Sequence, residues 1–65
     1  MRTNLIQARN TKHLTQAELA KQLSISRRMY QHLESGTRTG NLTTWCRLEE
    51  ILNVPISKLQ QKYIA

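Results

Sequence analysis

Arg27, Arg28, Gln31 and His32 fall on one side of a short predicted helix near the middle of this 65-residue chain. At about 100° per residue they share, with Ser35, an arc of about 140° that holds nothing apolar. Met29, Tyr30 and Leu33 fill the opposite arc, with Glu34 at its border. Arg, Gln and His are the side chains that hydrogen-bond base edges in the DNA major groove, Arg bidentately to guanine in particular. Two adjacent arginines at a helix start also oppose the helix dipole unless an anion compensates them, and a phosphate backbone supplies one. Catalytic chemistry has no comparable support. The chain holds no Asp, no evident nucleophile–base pairing and no glycine-rich phosphate loop, so it is not expected to be an enzyme.

Charge supports the same chemistry. Ten Lys/Arg against four acids give a formal net charge of +6, and the pI of about 10.3 lies in the range of basic nucleic-acid-binding domains. Between Arg27 and Arg47 there are four arginines and one acid, Glu34. His13, His32 and Cys46 are too scattered for a metal site, and a lone cysteine forms no internal disulfide. Cys46 reads as a small half-buried hydrophobe. No apolar run approaches the roughly 20 residues of a membrane span, and no signal peptide is evident. A cytoplasmic protein of one domain, residues 1–65, is expected, without cofactor, metal, membrane or small-molecule ligand.

The elements that must position the arc are helical. Glycine and proline occur only as Gly36, Gly40 and Pro55, and strand alternation is weak. Helix 1 is predicted over Asn4–Lys12 with Thr3 as its cap, turning Leu5, Ala8 and Ile6 inward. Thr15-Gln16-Ala17-Glu18 is a capping box that opens helix 2, whose inner face is Leu19, Ala20 and Leu23. Ser24 and Ile25 form the turn, Ser26 caps helix 3, and Gly36 is the left-handed residue that ends it. Asn41 caps helix 4, with Trp45, Leu48, Ile51 and Leu52 inward. Helix 5 is predicted from Ile56 to about Tyr63, with Ile56, Leu59 and Tyr63 inward. The fold class is all-α: a compact five-helix domain in which residues 15–36 are two short helices joined by a tight turn.

These residues resemble the Cro/repressor-type helix-turn-helix proteins of the XRE superfamily, especially lambdoid phage repressor DNA-binding domains. The strongest stretches are Leu14-Thr-Gln-Ala-Glu-Leu-Ala20, Leu33-Glu-Ser-Gly36 and Leu52-Asn-Val-Pro-Ile-Ser-Lys-Leu59, and the likeness covers about Leu5 to Leu59. The resemblance implies that Gln16 bonds a backbone phosphate and braces the recognition helix. It implies base contacts for Arg27, Arg28 and His32, with Gln31 between them, and an ion pair between Arg9 and Glu34. Phosphate contacts are expected from Gln16, Ser26, Arg38 and Asn41. Three positions depart from the family pattern. Ser24 stands where glycine is usual, at a cost of about 1 kcal/mol if the backbone is left-handed. Tyr30 replaces an aliphatic residue, and its buried hydroxyl wants a partner. The loop after Gly36 has only Arg38 as a cation.

The expected partner is double-stranded DNA bearing a near-palindromic operator, bound by a homodimer formed at least on the DNA. Candidate pairing residues are Trp45, Pro55, Ile56, Lys58, Leu59, Lys62 and Tyr63, although Trp45 reads first as core. A sequence that starts at Met1 and ends soon after Leu59 suggests a stand-alone Cro-like repressor of bacterial or phage origin, without a sensor domain. The alternatives are an antitoxin or mobile-element accessory protein that acts mainly through a protein partner at the helix 4/5 face, and a pure protein-interaction domain. The clustered Arg, Gln and His of helix 3 have no use in the latter.

Overall fold

Apolar stripes at helical spacing can leave water in so short a chain only by meeting at one centre. The structure, a computed structural model, describes residues 1–61. Among them are five helices and no strand: α1 (Thr3–Thr11), α2 (Gln16–Gln22), α3 (Arg27–Ser35), α4 (Leu42–Leu52) and α5 (Ile56–Leu59). α2 packs on α3, α1 lies against α3 and α5, and α4 meets α5. Every helix contributes to one core. Leu5, Leu19, Tyr30, Leu33, Trp45, Leu48 and Leu59 are fully buried in it, and Ala20, Leu23 and Leu52 nearly so.

Cap side chains close three of the five helix starts. At α2 the Thr15 hydroxyl accepts from the Glu18 N–H at 3.1 Å, and Glu18 Oε1 accepts from the Thr15 N–H at 2.9 Å. Those bonds, the Thr15 backbone N–H foremost, hold the exposed Glu18 carboxyl below its ordinary pKa. Ser26 Oγ accepts from Met29 N at 3.0 Å, and Asn41 Oδ1 accepts from Thr44 N at 2.8 Å, so α3 and α4 start where their caps predict. Gly36 ends α3 at φ 85°, and Asn53 ends α4 at φ 57°. Ser24 adopts φ 59°, the left-handed turn in which glycine is the unstrained residue.

The two ends of the described chain are tied together by Arg2, to which the sequence pattern gives no role. Its residue is only 2% exposed. Nη1 donates to the carbonyl oxygens of Leu33 (2.6 Å) and Arg38 (2.9 Å), Nε donates to that of Gln60 (3.2 Å), and its backbone N–H donates to Glu34 O at 2.7 Å. The guanidinium also lies 5.1 Å from the centre of the Trp45 ring. No carboxylate is needed, because the last carbonyls of α3 carry the negative end of its dipole and the indole face is electron-rich. Burial lowers the Arg2 pKa, yet a guanidinium stays charged in proteins.

Several expectations are corrected. α1 starts at Thr3, inside the helix, with Arg2 at the cap position and no side-chain capping bond; Arg2 is held there by its contacts across the molecule. α5 ends at Leu59, because Gln60 and Gln61 already leave the helix; Lys62 and Tyr63 lie outside the described residues. Trp45 (1% exposed) and Leu59 (0%) are core residues and offer no pairing surface. Trp45 turns inward beneath Arg2, and its Nε1 donates to Thr39 O at 2.6 Å. Cys46, one residue on and about 100° round the helix, is exposed. Ile56 is half-buried against the core, which leaves Pro55 and Lys58 exposed.

Replacing Arg2 by Met is expected to lower unfolding free energy by about 2–4 kcal/mol, since charge-assisted bonds to three carbonyls vanish at a buried site. Arg2→Lys keeps the charge but cannot span the three acceptors with a fork and should stay below wild type in urea denaturation. Equal midpoints for all three proteins would reduce Arg2 to a passive tail.

Candidate nucleic-acid interface

The polar arc of α3 is held outward by what lies beneath it. On the inner side Tyr30 and Leu33 are fully buried, and Glu34 is 4% exposed. A carboxylate at that depth is tolerated only with charge and hydrogen-bond partners. Arg9 Nε donates to Glu34 Oε2 at 2.7 Å, and Gln16 Nε2 donates to Oε1 at 2.8 Å. Arg9 Nη1 reaches on to Leu14 O at 2.8 Å, beyond the end of α1. Burial alone would lower the Arg9 pKa, but its bond to Glu34 and that residue's charge raise it. The expected Arg9–Glu34 pair is therefore present and ties α1 to α3, while Gln16 brings in the start of α2.

The same network reaches the outer face. Gln31 Nε2 donates to Gln16 Oε1 at 3.2 Å, which leaves the Gln31 amide oxygen and one N–H outward. Gln16, by contrast, has both amide atoms engaged and keeps one N–H. Arg27 and Arg28 are exposed at the first turn of α3, and neither bonds another described residue. His32 is half-buried, its Nδ1 placed 2.8 Å from the Thr37 hydroxyl. The side chains of Ser26, Arg28, Met29, His32 and Arg38 line a shallow open hollow of about 200 Å³.

Arg38 sits on a loop that is fixed from below. Arg2 holds the Arg38 carbonyl and Trp45 holds the Thr39 carbonyl. Gly40, at φ 74°, lies so close to Leu33 that a Cβ would come within 2.9 Å of Leu33 Cδ2. Asn41 spends its amide oxygen on capping α4 and Ser26 spends a lone pair on capping α3. The Asn41 amide N–H₂ and the Ser26 hydroxyl hydrogen remain as donors. The structure thus joins Gln16 to Gln31, gathers Ser26, Arg28, His32 and Arg38 around one hollow, and leaves Arg27 exposed at the start of α3. Sequence reasoning missed Arg2, Thr37 and Gly40, which hold the outer face without belonging to the arc.

A helix with a donor-rich outer face, crossed at its start by a second short helix through a tight left-handed turn, is the geometry of helix-turn-helix proteins. A family model described as helix-turn-helix matches residues 5–59. The chain belongs to the Cro/XRE-type helix-turn-helix family. It is a DNA-binding domain of the regulatory kind. No curated protein and no solved structure matches the chain. Among the described residues, no helix is long and apolar enough to cross a membrane.

Tyr30 carries the one buried side-chain polar atom without a hydrogen-bond partner among the described residues, its hydroxyl. Burial pushes its phenol well above the ordinary pKa, and the neighbouring Glu34 adds to that. Each Glu34 oxygen accepts one bond, from Arg9 or Gln16, and the Tyr30 hydroxyl, though close to that carboxylate, makes no hydrogen bond with it. Two substitutions separate the roles here. Arg9→Met strands the Glu34 charge and should cost about 3 kcal/mol or more. Tyr30→Phe removes a hydroxyl that makes no bond and should leave thermal stability unchanged or raised. A Tyr30→Phe protein that melts well below wild type would mean that the hydroxyl is satisfied in solution.

Proposed function

We propose that the chain is a Cro-like, sequence-specific repressor that acts as a single domain, pairs about a two-fold axis and lays α3 in the major groove of an operator. The observation that carries this reading is the pair Arg27–Arg28. Both are exposed at the positive end of a helix dipole, with no anion among the described residues to offset them. A phosphate-flanked groove supplies that anion and offers guanine edges as bidentate acceptors.

Contacts divide into two layers. Arg27, Arg28, Gln31 and His32 read base edges. Gln16 with its remaining N–H, Ser26, Arg38 and the Asn41 amide hold phosphates and set register. Gln16 connects the layers, because the amide that bonds Gln31 also keeps one donor for the backbone. One recognition helix covers too few base pairs to single out a site among genomic competitors. Two copies spaced by about 34 Å read half-sites in successive major grooves. Pro55, Ile56 and Lys58 form the proposed pairing surface, now without Trp45 and Leu59.

Arg28→Ala is expected to lose about 1–3 kcal/mol at one base position and to relax preference there. Arg38→Ala should weaken selected and random duplexes alike and reduce the salt slope by about one. Equal losses by both variants on both duplexes would overturn the division of layers. On a site selected from random DNA, native mass measurement should find two chains per duplex. A one-to-one complex at saturating protein would remove the dimer while leaving the groove reading intact.

A further inference from the structure

His32 is tied into a closed set of short contacts that fixes more than its position. Its Nδ1 is 2.8 Å from Thr37 Oγ1, Thr37 Oγ1 is 2.9 Å from Ser35 Oγ, and Ser35 Oγ is 3.1 Å from the His32 carbonyl oxygen. Three contacts need three hydrogens, and the two hydroxyls bring one each. The carbonyl can only accept, and it already takes the backbone N–H groups of Gly36 at 3.1 Å and Arg38 at 3.4 Å; a hydrogen in its contact with Ser35 comes from the Ser35 hydroxyl. The Thr37 hydrogen then points to Ser35 Oγ, and the assignment that fills all three contacts takes its third hydrogen from the ring, on Nδ1. If Nδ1 were bare, Thr37 would have to donate to it. Ser35 could then serve either Thr37 or the carbonyl, and one pair of oxygens, at 3.1 or 2.9 Å, would face each other with no hydrogen between them. The remaining outlet for the Thr37 hydrogen, the His32 carbonyl at 3.4 Å, again requires the proton on Nδ1.

The tautomer of a histidine is set by the bond that its other nitrogen makes. We propose that Thr37 and Ser35 are specificity-determining residues of the DNA interface: they hold the His32 proton on Nδ1, and so make Nε2 a hydrogen-bond acceptor that selects a base presenting an amino group. In the major groove that base is adenine, through N6, or cytosine, through N4; guanine and thymine present acceptors instead. Arg28, which can only donate, lines the same hollow. One hollow therefore offers opposite codes side by side. Neither Ser35 nor Thr37 needs to touch DNA for this, and the effect passes through the imidazole. The proposal rests on the reading of His32 as a base-facing residue.

Nitrogen-15 NMR of the free protein, at a pH where the imidazole is neutral, reports the tautomer without DNA. Wild type and Thr37→Ser, which keeps the hydroxyl, should show a protonated Nδ1 and a bare Nε2, while Thr37→Val should lose that bias. Site selection from random duplexes forms the second arm. Wild type and Thr37→Ser should favour adenine or cytosine over guanine by about five-fold, the worth of one neutral hydrogen bond, at a position where His32→Ala is indifferent. Thr37→Val should lose that preference while keeping the positions read by Arg28. A bare Nδ1 in wild type, or a His32-dependent preference for guanine or thymine, overturns the proposal. A protonated Nδ1 with selection unchanged by His32→Ala also overturns it, and shows that the base-facing reading of His32 failed rather than the relay. Because the wild-type spectrum and Thr37→Ser carry the test, a poorly folded Thr37→Val protein does not spare it.

Discussion

Burying the Glu34 carboxylate in so small a domain imposes conditions on three helices at once. Its two oxygens need donors, which come from Arg9 on α1 and Gln16 at the start of α2. Its backbone oxygen takes the N–H of Arg2. α1, α2 and the N-terminal segment are thereby referenced to one residue of α3. An apolar residue here could match or exceed the stability of the pair, as buried ion pairs often break even against well-packed hydrophobes. An apolar residue could not fix the rotation of α3 about its own axis, and that rotation decides which side chains face outward. The same carboxylate, through Gln16, also sets the orientation of Gln31. Stability and the aim of the outer face are one network in this protein.

The loop after α3 follows an analogous rule with the opposite sign. Here the buried charge is the Arg2 cation, and its partners are carbonyls at the C-terminal end of α3 and in the loop. Trp45 serves twice, as core packing and as the donor to Thr39 O. Thr37, at the loop's start, in turn grips His32. A segment without proline or clustered lysines thus has its backbone bonded from beneath, which lowers the cost of ordering the loop when Arg38 binds.

How much of this was legible in the sequence depended on range. The Thr15, Ser26 and Asn41 caps and the Gly36 stop are local, set within three residues of one another, and each lies where its residue type predicts. The polar arc of α3 follows from periodicity alone. The Arg9–Glu34 pair was reached through family likeness, since nothing local joins residues 25 apart. Arg2 escaped because an arginine beside the first residue carries no periodic signal, and its partners are backbone carbonyls that leave no trace in residue types. Trp45 and Leu59 were assigned to both core and pairing surface because helical spacing gives the apolar stripe but not which of two neighbours it meets. The end of α5 was overestimated for a related reason: Leu59 completes the core, and nothing beyond it in the described chain adds a buried apolar contact. Thr37 falls in the loop with no signal of its own in the sequence, and only its distance to His32 reveals its role.

These bonds also change what the net charge of +6 means. Arg2 is buried among carbonyls and Arg9 is neutralised by Glu34, whereas Arg47 stays exposed and donates to Gln22 O at the far end of α2. A cation already desolvated inside the fold has no counterions to exchange with a phosphate, so it adds little to the salt dependence of binding. Arg27, Arg28 and Arg38, exposed around one helix and its loop, remain as the concentrated field. The basic excess of the chain is therefore divided by burial: one part cross-links the fold from within, as staples do in domains of this size, and the other is left outside, where its lack of partners among the described residues favours an anionic one.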